Sequence, residues 1–259
     1  HFPDGVWFVP LAGVNSPALL IPAIAEAINF RFRDPTNPQT QLLRYLCEKR
    51  ALLVLDNAEH LLNSVGIFAE ILQACPQVKL LVTSRERLHL LSEWVFELQG
   101  LPVPPNDRVE QFEVYSAVAL FLQSARRAFP GFMLDETDRA GVADICRLVE
   151  GMPLAIELAA TWVRMLSTAE IAAEIDRSLD FLSTSARDMP ERHRSIQAVF
   201  DHSWKMLSKE EQQVLCQLSV FRGGFTREAA EQVAGIRLDL LSAFVSKSLV
   251  QHDRQKRFS

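Results

Sequence analysis

Apolar residues crowd into short unbroken runs in the first third of the chain and spread to a helical spacing in the rest. The runs VWFVPL (6–11), ALLVL (51–55) and VKLLVT (78–83) have the length and continuous apolar character of strands buried on both faces inside a parallel sheet. Between the first two, NSPALLIPAIAEAINF opens with Ser16 as a cap and Pro17 at the first helical position. Pro38 opens a second helix that carries Leu42, Leu43 and Leu46 on one face. A third helix is expected over 58–74, and a further strand in WVFEL (94–98). Strands interleaved with helices predict right-handed crossovers and a parallel α/β sheet. The segment GLPVPPND (100–107), with three prolines, closes that pattern and reads as a domain boundary.

From Ser116 onward the period is that of helices, over SAVALFLQSARRAF, then 136–150, then a helix following GMPLAIELAATW. Gly151 and Pro153 make a stop and restart, glycine closing one helix and proline opening the next. A helix over 168–182 leads into the polar stretch STSARDMPERHR. Beyond it come 195–206, then SKEEQQVLCQLSVF with a Ser208/Glu211 capping box, then TREAAEQVAG and LDLLSAFVSKSL, and VQHDRQKRF as the start of a β-hairpin. The last three of these helices and the hairpin predict a winged helix. The expected organisation is therefore α/β followed by all-α: a partial α/β domain over 1–104, a helical domain over 105–183 and a winged-helix domain over 184–259 with its wing cut short.

Composition narrows the function classes. Against 27 Lys+Arg stand 32 Asp+Glu, a net charge of −5, which gives no bulk affinity for nucleic acid or membranes. The four cysteines, at 47, 75, 146 and 216, form no CxxC pair and have no histidine at zinc spacing, so reduced thiols and a cytoplasmic setting are expected. No apolar run approaches the roughly 20 residues of a membrane span. No Ser-His-Asp motif, HExxH or activated-thiol signature points to a hydrolase of another type.

Asp56 ends the run at 51–55 and so falls at the carboxyl end of a strand. One reading is an N-cap for the helix that follows. The other is a carboxylate at the edge where open parallel sheets collect their ligands, holding Mg²⁺ through water. The residues around it leave both open.

Four segments, LLVLDNAEH, LLVTSRE, GMPLAIELAA and FDHSWKMLSKEEQQVLCQLSVF, occur in that order at domain-scale separations. Together they resemble the NB-ARC-like module of STAND-class signal-transduction ATPases, as in predicted ATPases of bacterial LuxR- and SARP-type transcriptional regulators. The resemblance covers essentially the whole chain. It implies a P-loop NTPase-type sheet and an ATP/ADP-dependent regulatory switch. Asp56 would be the Walker B aspartate on the Mg²⁺ shell, Arg85 a sensor of the terminal phosphate, and Pro153 the proline of a GxP motif packing on adenine. Many P-loop ATPases carry a second acid directly after Walker B; here that position is Asn57, a poor base. Glu59, one turn further on, is the substitute candidate, its other reading being an acid at a helix N-terminus. Slow or absent hydrolysis follows. His60 and His202 have no partners at metal spacing and receive no role.

No GxxxxGK[ST] occurs in these residues. In the family that loop lies just upstream of a helix leading into the strand at 6–11, so the chain is expected to start after its own phosphate loop and, at the other end, to stop before the family's wing motif. Alone it should bind nucleotide poorly. The expected partners are nucleotide, the missing upstream and downstream segments, and a second copy on activation, with no membrane. The rival is a DNA-binding module acting through the winged helix. Residues 184–259 carry 12 Lys+Arg against 9 Asp+Glu. However, the candidate recognition helix presents Leu238, Leu240, Leu241, Phe244 and Val245 with only Arg237 and Lys247 to meet phosphates, which favours packing over groove reading.

Overall fold

The computed structural model describes residues 1–34, 36–184, 194–221, 224–252 and 257–258. The chain divides into two compact units, His1–Phe96 with Val214–Ser259, and Glu97–Gln213.

In the first unit β1 (Val6–Pro10), β2 (Leu52–Asp56) and β3 (Lys79–Val82) form a parallel sheet in the order β1-β2-β3. Register pairs Val9 with Leu55 and Leu55 with Val82. The first crossover carries α1 (Leu20–Ala27) and α2 (Pro38–Cys47), the second a 3₁₀ segment (Glu59–Ser64) and α3 (Gly66–Ala74). The apolar stripes of these helices, with Leu20, Ile24, Leu42, Leu46, Phe68 and Ile71, close over Val9, Leu53 and Leu55 on one face of the sheet. All three helices serve that face. On the opposite face Val6 is 60% exposed, Phe8 58% and Leu81 55%, so the expected burial on both faces is found on one only.

Two further expectations are corrected. The helix over 58–74 is two pieces, a 3₁₀ segment and then α3. The break falls at Asn63, Ser64 and Gly66, residue types that favour turns or lose the most backbone freedom in a helix. The run WVFEL is not a strand: no residue of 94–98 pairs with β1, β2 or β3, and Trp94 is 97% and Phe96 86% exposed. Its composition suits a strand, but a strand exists only with a ladder partner for its backbone groups.

The rest of the first unit is built from the last part of α9 (Lys209–Leu218), α10 (Arg227–Ala234) and α11 (Leu238–Ser246) around Val214, Leu218, Phe225, Ala230, Leu241 and Phe244. Thr226 caps α10, and Gly235, at φ +57°, ends it in the left-handed region. Phe258 forms antiparallel bridges with both Phe225 and His252. The remainder of the expected hairpin, 253–256, lies outside the described residues, as does 185–193 of the polar stretch.

The second unit packs α4 (Ser116–Ala128), α5 (Glu136–Leu148), α6 (Pro153–Ala160) and α7 (Thr168–Arg177) around Phe112, Phe121, Val142, Ile145, Ile156 and Ile171. The expected helix over 168–182 stops at Arg177, because Ser178 turns extended and caps a separate 3₁₀ turn, Leu179–Phe181. Ser167 and Glu170 form a reciprocal capping box at the start of α7, and Asp135 caps α5. The unit continues through α8 (Ile196–Lys205), capped by Ser195, into the first turn of α9, where Ser208 and Glu211 form the expected capping box.

Candidate functional site

The three strands run parallel, so their carboxyl ends share one edge of the sheet, and the residues following β2 and β3 meet there. Asp56 is the last residue of β2. Thr83 follows β3 directly, its N–H donating to Leu55 O at 2.9 Å to continue the ladder. Its hydroxyl donates to Asp56 Oδ1 at 2.6 Å and accepts from the Asn57 N–H at 2.9 Å. Thr83 O in turn accepts from the Ala58 N–H at 3.0 Å. One threonine thus fixes both the carboxylate and the backbone that leaves it. Asn57 makes this turn at φ +68°, a left-handed conformation that asparagine tolerates better than most residues.

Asp56 caps no helix. The cap position of the following 3₁₀ segment is Ala58, and no side chain serves it. The bond that Asp56 does accept comes from the neighbouring strand end.

Glu59 and Arg85 form the second pair at this edge. Glu59 opens the 3₁₀ segment with its side chain 3% exposed, and its Oε1 lies 3.5 Å from Nε of Arg85, whose side chain is 29% exposed. A buried carboxylate needs a counter-charge. Arg85 supplies it from the loop after β3, two residues beyond Thr83. The backbone of that loop is held from the C-terminal segment, the Ser248 hydroxyl donating to Arg85 O at 2.8 Å. His60 is engaged structurally, its Nε2 lying 3.0 Å from Val14 O.

Two pairs, Asp56 with Thr83 and Glu59 with Arg85, therefore follow the ends of β2 and β3, and Thr83 is the member that sequence reasoning missed. Its signal was present in the TSR triplet, where a short hydroxyl side chain directly follows the strand. Pro153 belongs to the second unit. There it occupies the first position of α6 after Met152, as helix initiation requires. The turn before it is tightly built: Gly151, at φ +69°, accepts at its carbonyl from the Leu101 N–H at 2.8 Å. A Cβ on Gly151 would sit 2.1 Å from Leu101 O, and one on Gly100 1.9 Å from Glu150 O. The glycine of the GMP triplet is thus required by a crossing of two backbones.

Among the described residues no three His, Cys, Asp or Glu side chains converge to hold a metal ion. None of the described helices is long and apolar enough to cross a membrane.

No protein-family model matches the chain. In sequence it is 33% identical over 258 residues to a protein of Mycobacterium tuberculosis named "Putative HTH-type transcriptional regulator", a match spanning 96% of this chain and 28% of that protein. An uncharacterized protein of Mycobacterium tuberculosis is 30% identical over 234 residues, 90% of this chain and 57% of its own length. The chain thus spans between about a quarter and somewhat over half of these relatives. Among solved structures, a STAND protein with a tetratricopeptide repeat sensor from Pyrococcus horikoshii aligns with 87% of this chain and 28% of its own, at 15% identity and a TM-score of 0.30. The Aeropyrum pernix ORC2 protein aligns with 98% of this chain and 73% of its own, at 14% identity and a TM-score of 0.45.

Proposed function

We propose that this chain is the nucleotide-responsive switch module of a longer transcriptional regulator, with the carboxyl edge of its parallel sheet forming the Mg²⁺- and phosphate-facing half of an ATP/ADP site. The observation that carries the reading is the joining of two pairs, Asp56 with Thr83 and Glu59 with Arg85, at that one edge. A Mg²⁺ ion bound with a nucleotide takes one or two protein carboxylates and fills its other positions with phosphate oxygens and water. Asp56 fits that demand, since Thr83 engages Oδ1 and no hydrogen bond to Oδ2 is found among the described residues. The ion, when bound, would neutralise phosphate charge. The chain's own part is to hold the Asp56 carboxylate through Thr83 and to present Arg85 from the loop after β3.

Arg85 then has an alternative to its contact with Glu59. Without a terminal phosphate it neutralises Glu59; with one, its guanidinium forms charge-assisted bonds to the phosphate oxygens. A contact made in one state and not the other is what biases a two-state equilibrium, here between a closed form and an open, oligomerising one. By the same resemblance Pro153 would pack on adenine, and residues 184–259 would act as a winged helix serving the switch. These 259 residues contain no GxxxxGK[ST], so the backbone cradle of a phosphate loop is not among what they contribute to the proposed site. Asn57 in place of an acid makes hydrolysis slow, with the buried Glu59 occupied by Arg85. The sequence likeness to a protein named as a transcriptional regulator supports the regulatory setting.

Calorimetry with Mg-ATP and Mg-ADP tests the reading. The longer protein that contains this segment is expected to bind in a Mg-dependent way and to lose that dependence with Asp56→Ala, while residues 1–259 alone bind weakly or not at all. Equal affinity for the longer protein with and without Asp56 would overturn it.

A further inference from the structure

The four cysteines are far apart in sequence, yet the fold brings two of them together. Cys47 is the last residue of α2 and Cys75 directly follows α3, 28 positions later. Their sulfurs lie 2.8 Å apart. The approach is fixed by the backbone around it, since Cys47 Sγ donates to Ala74 O at 3.1 Å and Cys75 Sγ to Leu43 O at 3.4 Å. Both thiols are free.

We infer that Cys47 and Cys75 are a reversible disulfide-forming site that takes small-molecule disulfides as its oxidant. Among the described residues no third His, Cys, Asp or Glu joins the pair to complete a metal-binding set. The separation of the sulfurs lies about 0.75 Å beyond a finished S–S bond, a gap that small rotations of the two side chains can close.

Access sets the order of events. Cys47 is exposed and Cys75 is fully buried, so a dissolved disulfide RSSR meets Cys47 first. The Cys47 thiolate attacks one sulfur of RSSR, forming a Cys47–SR mixed disulfide and releasing RS⁻, which takes up a proton. Cys75 then attacks Cys47 Sγ, the Cys47–SR bond breaks, and the second RS⁻ leaves with the Cys75 proton. Two protein thiols have lost two electrons and two protons, and RSSR has become two RSH. Burial pushes the Cys75 thiol up to about 12, so the second step is the slow one. The other two cysteines are internal controls: Cys146 is buried, its thiol also pushed up to about 12 by burial, and Cys216 is exposed and makes no sulfur contact among the described residues.

The bond would tie the end of α2 to the turn entering β3, independently of any nucleotide at the sheet edge. The test is to treat the full chain with oxidised glutathione, block remaining thiols with an alkylating agent and map the peptides by mass. The expected product is a Cys47–Cys75 cross-linked peptide lighter by two hydrogens, reversed by dithiothreitol, with a thermal midpoint above that of the reduced chain. Cys216 should carry glutathione only as an adduct. Cys47→Ser should abolish the cross-link without disturbing the core. Cys75→Ser, if it folds, should trap glutathione on Cys47. Recovery of Cys47 in the unaltered chain as a free thiol, or as a lasting glutathione adduct, would overturn the inference.

Discussion

The hydroxyl of Thr83 donates to Oδ1 of Asp56 across 2.6 Å while accepting from the N–H of Asn57, so a single side chain couples the ends of two strands. Thr83→Val keeps the shape and removes both bonds. The expected cost is about 1 kcal/mol, small because the threonine is exposed and water can replace part of what is lost. In the longer protein the less constrained Asp56 should weaken Mg-dependent nucleotide binding about fivefold. Urea unfolding paired with calorimetry checks both figures, and a variant unchanged in affinity would detach Thr83 from the site.

The Glu59–Arg85 pair should respond asymmetrically to mutation. Arg85→Ala leaves a carboxylate that is 3% exposed without the counter-charge that Arg85 gives it, whereas Glu59→Gln leaves a guanidinium that is already 29% exposed and retains a polar neighbour. The first is expected to cost about 2 kcal/mol and the second about 1 kcal/mol. Denaturant midpoints of the two variants would decide, and a larger loss for Glu59→Gln would contradict the assignment.

Gly151→Ala should be far more damaging than its conservative chemistry implies. The residue is held at φ +69°, and its new Cβ would press on Leu101 O, a backbone atom that cannot step aside. We expect a loss above about 3 kcal/mol, read as a collapse in the thermal midpoint or in soluble yield. Gly13→Ala is the control, because nothing lies within 4 Å of its Cβ position; it should change stability by less than about 0.5 kcal/mol.

Residues 184–259 should not read DNA. Leu241 and Phe244 of α11 face the core, and Arg237, at the cap of that helix, donates to both carboxylate oxygens of Asp239 at 3.1 and 2.8 Å. A groove-reading helix needs its polar and basic side chains on an exposed face. Gel-shift experiments with the full chain on duplex DNA across a salt series should find no sequence preference. Selective binding that falls steeply with salt and weakens in Arg237→Ala would promote the rival reading.

Local signals made much of this legible. Continuous apolar runs marked β1, β2 and β3, proline at the first helical position marked the starts of α2 and α6, and the Ser208/Glu211 box marked the start of α9. What escaped depends on contacts between distant residues. The run at 94–98 has strand composition but no ladder partner. Cys47 and Cys75 carry no mutual signal because the spacing that pairs them is made by the packing of α2 on α3. Asp56 and Arg85 could be placed at strand ends from sequence, but the burial of Glu59 and the bridging role of Thr83 required the register of β3 against β2.

That register gives the hydrophobic layer a second duty. Pairing of Leu55 with Val82 puts Thr83 level with Asp56, and a slip of one residue would turn every side chain of β3 to the opposite face. Leu80 and Val82 lean on the same cluster that buries Leu53 and Leu55, so the grip of α3 on the sheet sets how far the hydroxyl stands from the carboxylate. Phe68 and Ile71, fully buried in that cluster, are in this sense spacers of the site: trimming either would detune the Asp56–Thr83 geometry before it unfolded the chain.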